Sequence, residues 1–147
     1  MKKYSFRLQV VLDMRQKELE ERQMEMAKIL SALNLQQEKL QQILQSQTDN
    51  TNSMEALYNA PELDIMQIEA HRSFGLKLIN DARNQERVIE NTKFILEKKQ
   101  QEVKIAHQKV EVLNKLKEKQ EKAFYKEFLD SEMKEIDDIT SARFKVG

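Results

Sequence analysis

The stretch LDMRQKELEERQMEMAKILSALNLQQEKL, residues 12–40, carries an apolar side chain at every seventh position. Those positions are Leu12, Leu19, Met26, Leu33 and Leu40. A strict seven-residue spacing keeps one stripe of a helix against a partner helix, as in coiled coils. The same stripe also contains the polar residues Arg15, Arg22, Gln36 and Gln47. The pattern predicts a long helix whose apolar seam is interrupted by polar layers that fix its register.

A second seam follows later in the chain and has the same spacing. It consists of Leu78, Ala82, Ile89, Leu96, Val103 and Val110, followed by Leu113. Two glycines and one proline in 147 residues leave too few chain breakers for a protein rich in strands and turns. Two seam-bearing helices joined by a short turn fold back on each other. We therefore predict an all-α fold in which two long helices form an antiparallel coiled-coil hairpin, with the second helix longer than the first.

The turn lies within QSQTDNTNSMEALYNAPELD, residues 45–64, which the sequence divides in two ways. In one, helix one ends near Gln47 and a new helix begins at Asn52, where Glu55 completes a capping box. In the other, helix one continues to NAPE, residues 59–62, where Asn59 caps helix two and Glu62 reaches back. The second gives a single domain over residues 1–147. Its helix one spans about 4–58, its turn about 59–62 and its helix two about 63–141.

These unequal lengths predict an overhang at the end of helix two. Placing residue i opposite about residue 120 minus i brings Leu12 near Gln108 and leaves residues after about 116 without an intramolecular partner. The overhang contains the four large side chains Phe124, Tyr125, Phe128 and Leu129. Their exposure would waste apolar burial, so a partner protein, a second copy of the chain or a bent N-terminus should cover them.

Phe74 and Leu78 form a second candidate surface near the turn. They lie one helical turn apart and flank Gly75. A patch exposed for binding is one interpretation of this spacing. A seam whose register shifts at Gly75, burying both side chains, is the other.

Several functional classes are disfavoured by composition. The chain has 25 basic and 25 acidic residues, so it lacks the positive surplus of nucleic-acid-binding proteins. Cysteine is absent, and His71 and His107 have no further ligand at metal spacing. We expect no catalytic residues, no cofactor, no metal and no small-molecule substrate, hence no enzyme. The basic start is a poor signal peptide and no stretch is apolar enough to span a membrane, so a cytoplasmic location is expected.

Both ends of the chain carry a recognisable pattern. The opening FRLQVVLDMRQKELE, residues 6–20, is similar to an F-x-L-x-x-L-L-x-x-R start followed by acidic heptads. Near the other end, the run LNKLKEKQEKAFYKEFLDSEMKEIDDITSAR, residues 113–143, combines a K-E-K element, an aromatic and an acidic segment. Both patterns resemble the ends of the FliJ family of flagellar export proteins.

The resemblance implies a stalk-like coiled coil in the flagellar type III export apparatus. Family members bind the hexameric export ATPase, the cytoplasmic region of the export gate and export chaperones, at the cytoplasmic face of the inner membrane. By analogy, Phe124, Tyr125, Phe128 and Leu129 would contact the ATPase, and Phe74 and Leu78 the gate. A structural coiled coil or holdase-type chaperone without an ATPase partner is the alternative, and a parallel homodimer is another arrangement of the same seams.

Overall fold

The computed structural model describes residues 2–146 and contains two long helices. Helix α1 spans Gln9–Tyr58 and helix α2 spans Ile65–Val146. They pack antiparallel as a hairpin, α2 is the longer, and residues 2–146 contain no strand. The predicted all-α hairpin is therefore confirmed. Met1 and Gly147, the outermost residues of the predicted domain, lie outside the described part of the chain.

Helix α1 begins later than its predicted start near residue 4. Residues 2–6 have no helical structure, and the amide of Gln9 bonds to the carbonyl of Phe6 in a turn that leads into the helix. The side chain of Phe6 is buried at 6% exposure. Because residues 2–6 are not helical, the side chain of Phe6 can turn into the core. In a helix that began near residue 4, helical geometry would set the direction of this side chain.

The two helices are joined through residues 59–64. Helix α1 continues past Gln47, and Pro61 follows its last turn, where it disfavours a helical conformation of the preceding residue. The cap of α2 is Asp64, whose Oδ1 accepts a hydrogen bond of 3.2 Å from the amide of Gln67. Asn59, which the sequence predicted as the cap of helix two, instead donates its backbone N–H to the backbone carbonyl of Glu55 at the end of α1.

Two compact units make up the hairpin, and the first contains the chain ends. In the described part of the chain, this terminal unit comprises residues 2–22 and 102–146. Its core is the buried cluster of Phe6, Leu12 and Val110. The half-buried side chains around that cluster are Tyr4, Leu8, Leu19, Leu113 and Leu116. Leu12 thus shares its cluster with Val110, a shift from the predicted neighbour Gln108 that returns an apolar residue to the seam.

The second unit, residues 23–101, contains the turn and is called the turn unit. Its buried apolar residues are Leu33, Leu78, Ala82 and Ile89. Three polar residues are buried among them, Asn50, Gln85 and Thr92. The Nε2 of Gln85 donates to the backbone carbonyl of Gln36 across the helix pair at 2.9 Å. Gln85 thus bonds side chain to backbone between the two helices, whereas the hydroxyl of Thr92 donates to the carbonyl of Val88 within α2.

Candidate protein-binding surfaces

The four residues predicted to protrude from α2 occupy two faces of the helix. Phe124 and Phe128, one turn apart, are both half-buried. Tyr125 and Leu129 are also one turn apart but point about 100° away, and both are exposed. The structure thus separates a partly covered pair from an uncovered pair, which a count of helix lengths alone does not predict.

Tyr4 covers the first of these faces. Its ring lies 5.6 Å from the ring of Phe124 with the planes tilted by 53°. The Tyr4 hydroxyl donates to Oε1 of Gln120 at 3.5 Å. The prediction that residues after about 116 lack an intramolecular partner is therefore wrong at Gln120 and Phe124. A bent N-terminus, one of the three coverings expected from the sequence, reaches them because residues 2–6 do not continue the helix.

The second face forms an apolar stripe along one side of α2. Tyr125, Leu129 and Met133 follow at i, i+4 and i+8, with exposures of 41%, 58% and 64%. Ile136 continues the stripe and is also exposed. Lys122, Lys126 and Asp130 border a shallow depression over it. Sequence reasoning missed these bordering residues, although each lies three residues before a member of the stripe, Tyr125, Leu129 or Met133.

Charge changes sign along this part of α2. Residues 93–126 contain ten lysines and five glutamates, whereas residues 127–138 contain six acidic residues and one lysine. This acidic segment ends at Asp138, about two turns before the end of α2 at Val146, so the helix dipole does not account for it. The apolar stripe thus begins beside lysines and continues among carboxylates, a pattern suited to a partner of complementary charge.

The two residues of the predicted gate-binding patch differ in burial. Phe74 is 44% exposed, whereas Leu78 is 6% exposed and belongs to the core of the turn unit. Leu78 therefore supports the surface from beneath and does not form part of it. At 100° per residue, Phe74 lies on one flank of the seam, and the exposed Leu76 and Ile79 lie on the other.

A polar clamp holds the helices together beside Phe74. The Nδ2 of buried Asn50 donates to the backbone carbonyl of His71 at 2.9 Å. The Oδ1 of the same amide lies 2.8 Å from Nδ1 of His71. Because this oxygen only accepts, the Nδ1 of His71 carries the proton. A Cβ on Gly75 would lie 3.0 Å from the Asn50 Nδ2, so glycine makes room for the amide.

This clamp gives His71 a structural role as a partner of Asn50. His107 lies on the surface, with Nδ1 3.9 Å from a carboxylate oxygen of Glu111. Within residues 2–146, no group of three or more His, Cys, Asp or Glu side chains is placed to hold a metal ion. Neither helix, over its described length, has an apolar window long enough to cross a membrane.

Comparison with known proteins identifies one family. The model of the family described as the flagellar FliJ protein matches residues 4–146. No curated protein and no solved structure matches the chain. The matched region includes both helices, the turn and the two candidate surfaces, so the chain belongs to the flagellar FliJ family and is a component of the flagellar export apparatus.

Proposed function

We propose that this protein is a non-enzymatic, stalk-like adaptor that binds the export ATPase hexamer and the cytoplasmic region of the export gate. It couples ATP hydrolysis to export by binding both partners, and it also receives export chaperones. Its association with the cytoplasmic face of the inner membrane is peripheral and depends on these partners. The observation that carries the proposal is the uncovered apolar stripe of Tyr125, Leu129 and Met133 on α2.

The exposure of this stripe supports a contact with a protein. Three large apolar side chains at successive turns of one helix form a continuous surface rather than scattered exposed residues. Such a stripe is the usual anchor of a helix that binds in a groove. The ATPase contact therefore centres on Tyr125 and Leu129, and Phe124 and Phe128 extend it on the neighbouring face.

The gate contact is assigned to Phe74. This aromatic side chain is exposed on a helix whose inner face is fixed by Leu78 and by the Asn50 clamp. A rigid aromatic residue that loses little conformational freedom on binding is a common hot spot of protein interfaces. Leu78 contributes by holding the backbone beneath Phe74.

The ATPase contact is tested by measuring ATP hydrolysis with purified export ATPase over a titration of this protein. The double substitution Tyr125→Ala and Leu129→Ala removes two central anchors of the contact. It should therefore raise the concentration of this protein that gives half-maximal stimulation by about tenfold or more. Neither substitution removes the Tyr4 contact with Phe124. Circular dichroism should show unchanged helicity.

The matched control is the double variant Phe94→Ala and Val112→Ala. These side chains, 59% and 66% exposed, also lie on α2 but away from the stripe. The control should stimulate as the wild type does. Equal loss in both variants would show a general effect of apolar truncation, and full stimulation by the Tyr125 and Leu129 variant would overturn the assignment. Absence of stimulation by the wild type would instead favour a structural or holdase role.

The gate contact is tested by binding to the purified cytoplasmic gate fragment. Phe74→Ala should weaken binding about tenfold and leave ATPase stimulation unchanged. Leu76→Ala is the control, because Leu76 is exposed two residues away on the opposite flank. Equal gate binding by the wild type and the Phe74 variant would contradict this part of the proposal.

A further inference from the structure

Residues 2–6 form a non-helical segment, here called the N-terminal strap, which contacts α2 through Tyr4. Tyr4 reaches Gln120 and Phe124 from this segment. The strap thus covers part of the surface proposed for the ATPase. Lys2, Lys3 and Ser5 are exposed, so Tyr4 and Phe6 make the contacts that hold the strap in place.

The two anchors of the strap differ in how firmly they are held. Phe6 is almost completely buried with Leu12 and Val110. Tyr4 is only half-buried, and its hydroxyl bond of 3.5 Å is longer than the usual 2.7 to 2.8 Å of such bonds. Its ring contact with Phe124 is a single tilted aromatic pair. Release of Tyr4 therefore requires far less disruption than release of Phe6.

The position of Phe124 makes this difference relevant to binding. Its neighbour Tyr125 is on the open stripe, and the two rings meet edge to face at 5.5 Å. A partner seated on Tyr125 and Leu129 therefore lies next to the covered ring of Phe124. To bury Phe124 as well, that partner must displace Tyr4.

We propose that the N-terminal strap is a latch that covers Phe124 in the free protein and opens about Phe6 when a partner binds the stripe. This inference depends on the proposed ATPase contact. In closed molecules Phe124 is covered by Tyr4 and cannot contact the partner. The apparent affinity for the partner is therefore lower, the smaller the fraction of open molecules. The strap thereby sets how readily the stalk engages its partner, and Tyr4 is its regulatory contact.

The closed latch is tested without any partner. The chain has no tryptophan, so Phe124→Trp gives a unique fluorescent reporter at the covered position. Adding Tyr4→Ala should raise the acrylamide-accessible fraction of the reporter about three- to tenfold, the equilibrium shift expected from one aromatic contact. Tyr4→Phe should keep the reporter shielded, because the ring remains.

The matched control for this quenching experiment is Ser5→Ala. Ser5 is an exposed position of the same strap, so its truncation should leave quenching of the reporter unchanged. Equal quenching of the reporter with and without Tyr4→Ala would overturn the latch.

The regulatory role is tested by the affinity of each variant for the export ATPase with Phe124 intact. Tyr4→Ala should bind about three- to tenfold more tightly than the wild type, because the closed state no longer competes. Weaker or unchanged binding would overturn the latch, and weaker binding would assign the strap to the interface itself. If the wild type and every variant fail to bind, the proposed ATPase contact is wrong and the latch has no partner, while the quenching data still report whether the strap covers Phe124.

Discussion

The terminal unit and the turn unit use the same helix pair but bury different chemistry. The buried core of the terminal unit contains Phe6, Leu12 and Val110. The turn unit buries Asn50 and Gln85 beside its apolar residues and bonds them across to the opposite helix. Burial of apolar side chains is strongly stabilising but not directional, so it permits more than one register of the two helices. A buried amide forms its hydrogen bonds in only one register. Apolar burial therefore stabilises both units, and the buried amides of the turn unit fix its register as well.

The largest expected effect tests the apolar side of this comparison. Leu12 is 2% exposed at the centre of the terminal unit. Leu12→Ala should lower the free energy of unfolding by about 2 to 5 kcal/mol, because it removes buried methyl groups and leaves a cavity. Chemical denaturation followed by circular dichroism measures this. Val10→Ala, at a position 72% exposed, is the control and should cost less than about 0.5 kcal/mol. Similar values for both would show that the cluster does not stabilise the unit.

The next effect tests the polar side. Asn50→Ala should cost about 1 to 3 kcal/mol, because the carbonyl and Nδ1 of His71 lose their partner. Gly75→Ala should also destabilise, since its Cβ would lie 3.0 Å from Nδ2 of Asn50 in a site with little room to move. Denaturation midpoints of both variants measure these losses.

The double variant of Asn50 and Gly75 separates two effects of Gly75→Ala on stability. One is the contact of the new Cβ with the Asn50 amide, and the other is the higher helix propensity of alanine. In the Asn50→Ala background the crowding atom is gone, so Gly75→Ala should become stabilising by about 1 kcal/mol, the usual gain of alanine over glycine in a helix. The sign of the Gly75 substitution should therefore reverse between the two backgrounds. Additive losses would show that the amide and the glycine are not coupled.

Heptad spacing predicted the hairpin, because the apolar seam recurs with the period of a helix pair. Polar residues at seam positions, such as Gln36, predicted that some layers would fix register. The clamp was not predicted, because Asn50 lies in a segment rich in turn-forming residues and its bond depends on which backbone carbonyl faces it. A register shift at Gly75 was one of the two interpretations of this stretch, since sequence does not reveal that the amide of Asn50 from the other helix occupies the space beside this glycine.

The candidate sites were predicted in part. Counting helix lengths placed Phe124 and Tyr125 together beyond helix one. It did not place Tyr4 against Phe124, because the count took helix one to start near residue 4, whereas residues 2–6 are not helical, and Tyr4 carries no periodic signal. Phe74 is exposed as a binding residue requires, whereas Leu78 is buried because it is in phase with Ala82 and Ile89 on the seam.

A further prediction concerns the cost in stability of one polar layer of the turn unit. In the described residues, Oε1 of Gln36 is buried and lacks a hydrogen-bond partner. Gln36→Leu removes this unsatisfied oxygen and keeps the backbone carbonyl that accepts from Gln85. It should therefore stabilise the protein by about 1 kcal/mol in denaturation experiments. Gln37→Leu, at an adjacent exposed position, is the control and should be near neutral. Destabilisation by Gln36→Leu would show that this oxygen is satisfied in solution.

The smallest effect returns to the terminal unit and to the pH dependence of its strap. Partial burial raises the pKa of the Tyr4 hydroxyl, and the nearby negative charge of Glu121 raises it further. The folded protein therefore holds this proton more tightly than the unfolded chain does. The contribution of the protonated hydroxyl to folding stability is fully present below the pKa of the unfolded chain, near 10. It is lost as the pH rises through the raised pKa of the folded protein.

Alkaline titration of the Phe124→Trp reporter should accordingly open the strap above about pH 10, the ordinary pKa of tyrosine. The phenolate loses its hydrogen bond to Gln120 and is repelled by Glu121, so quenching should increase while helicity remains constant. The Tyr4→Phe variant is the control, because it retains every other titratable group and removes only this hydroxyl. The difference between the two titrations isolates Tyr4. Identical curves would show that the hydroxyl does not hold the strap, and the ring contact with residue 124 would then be its main fastening.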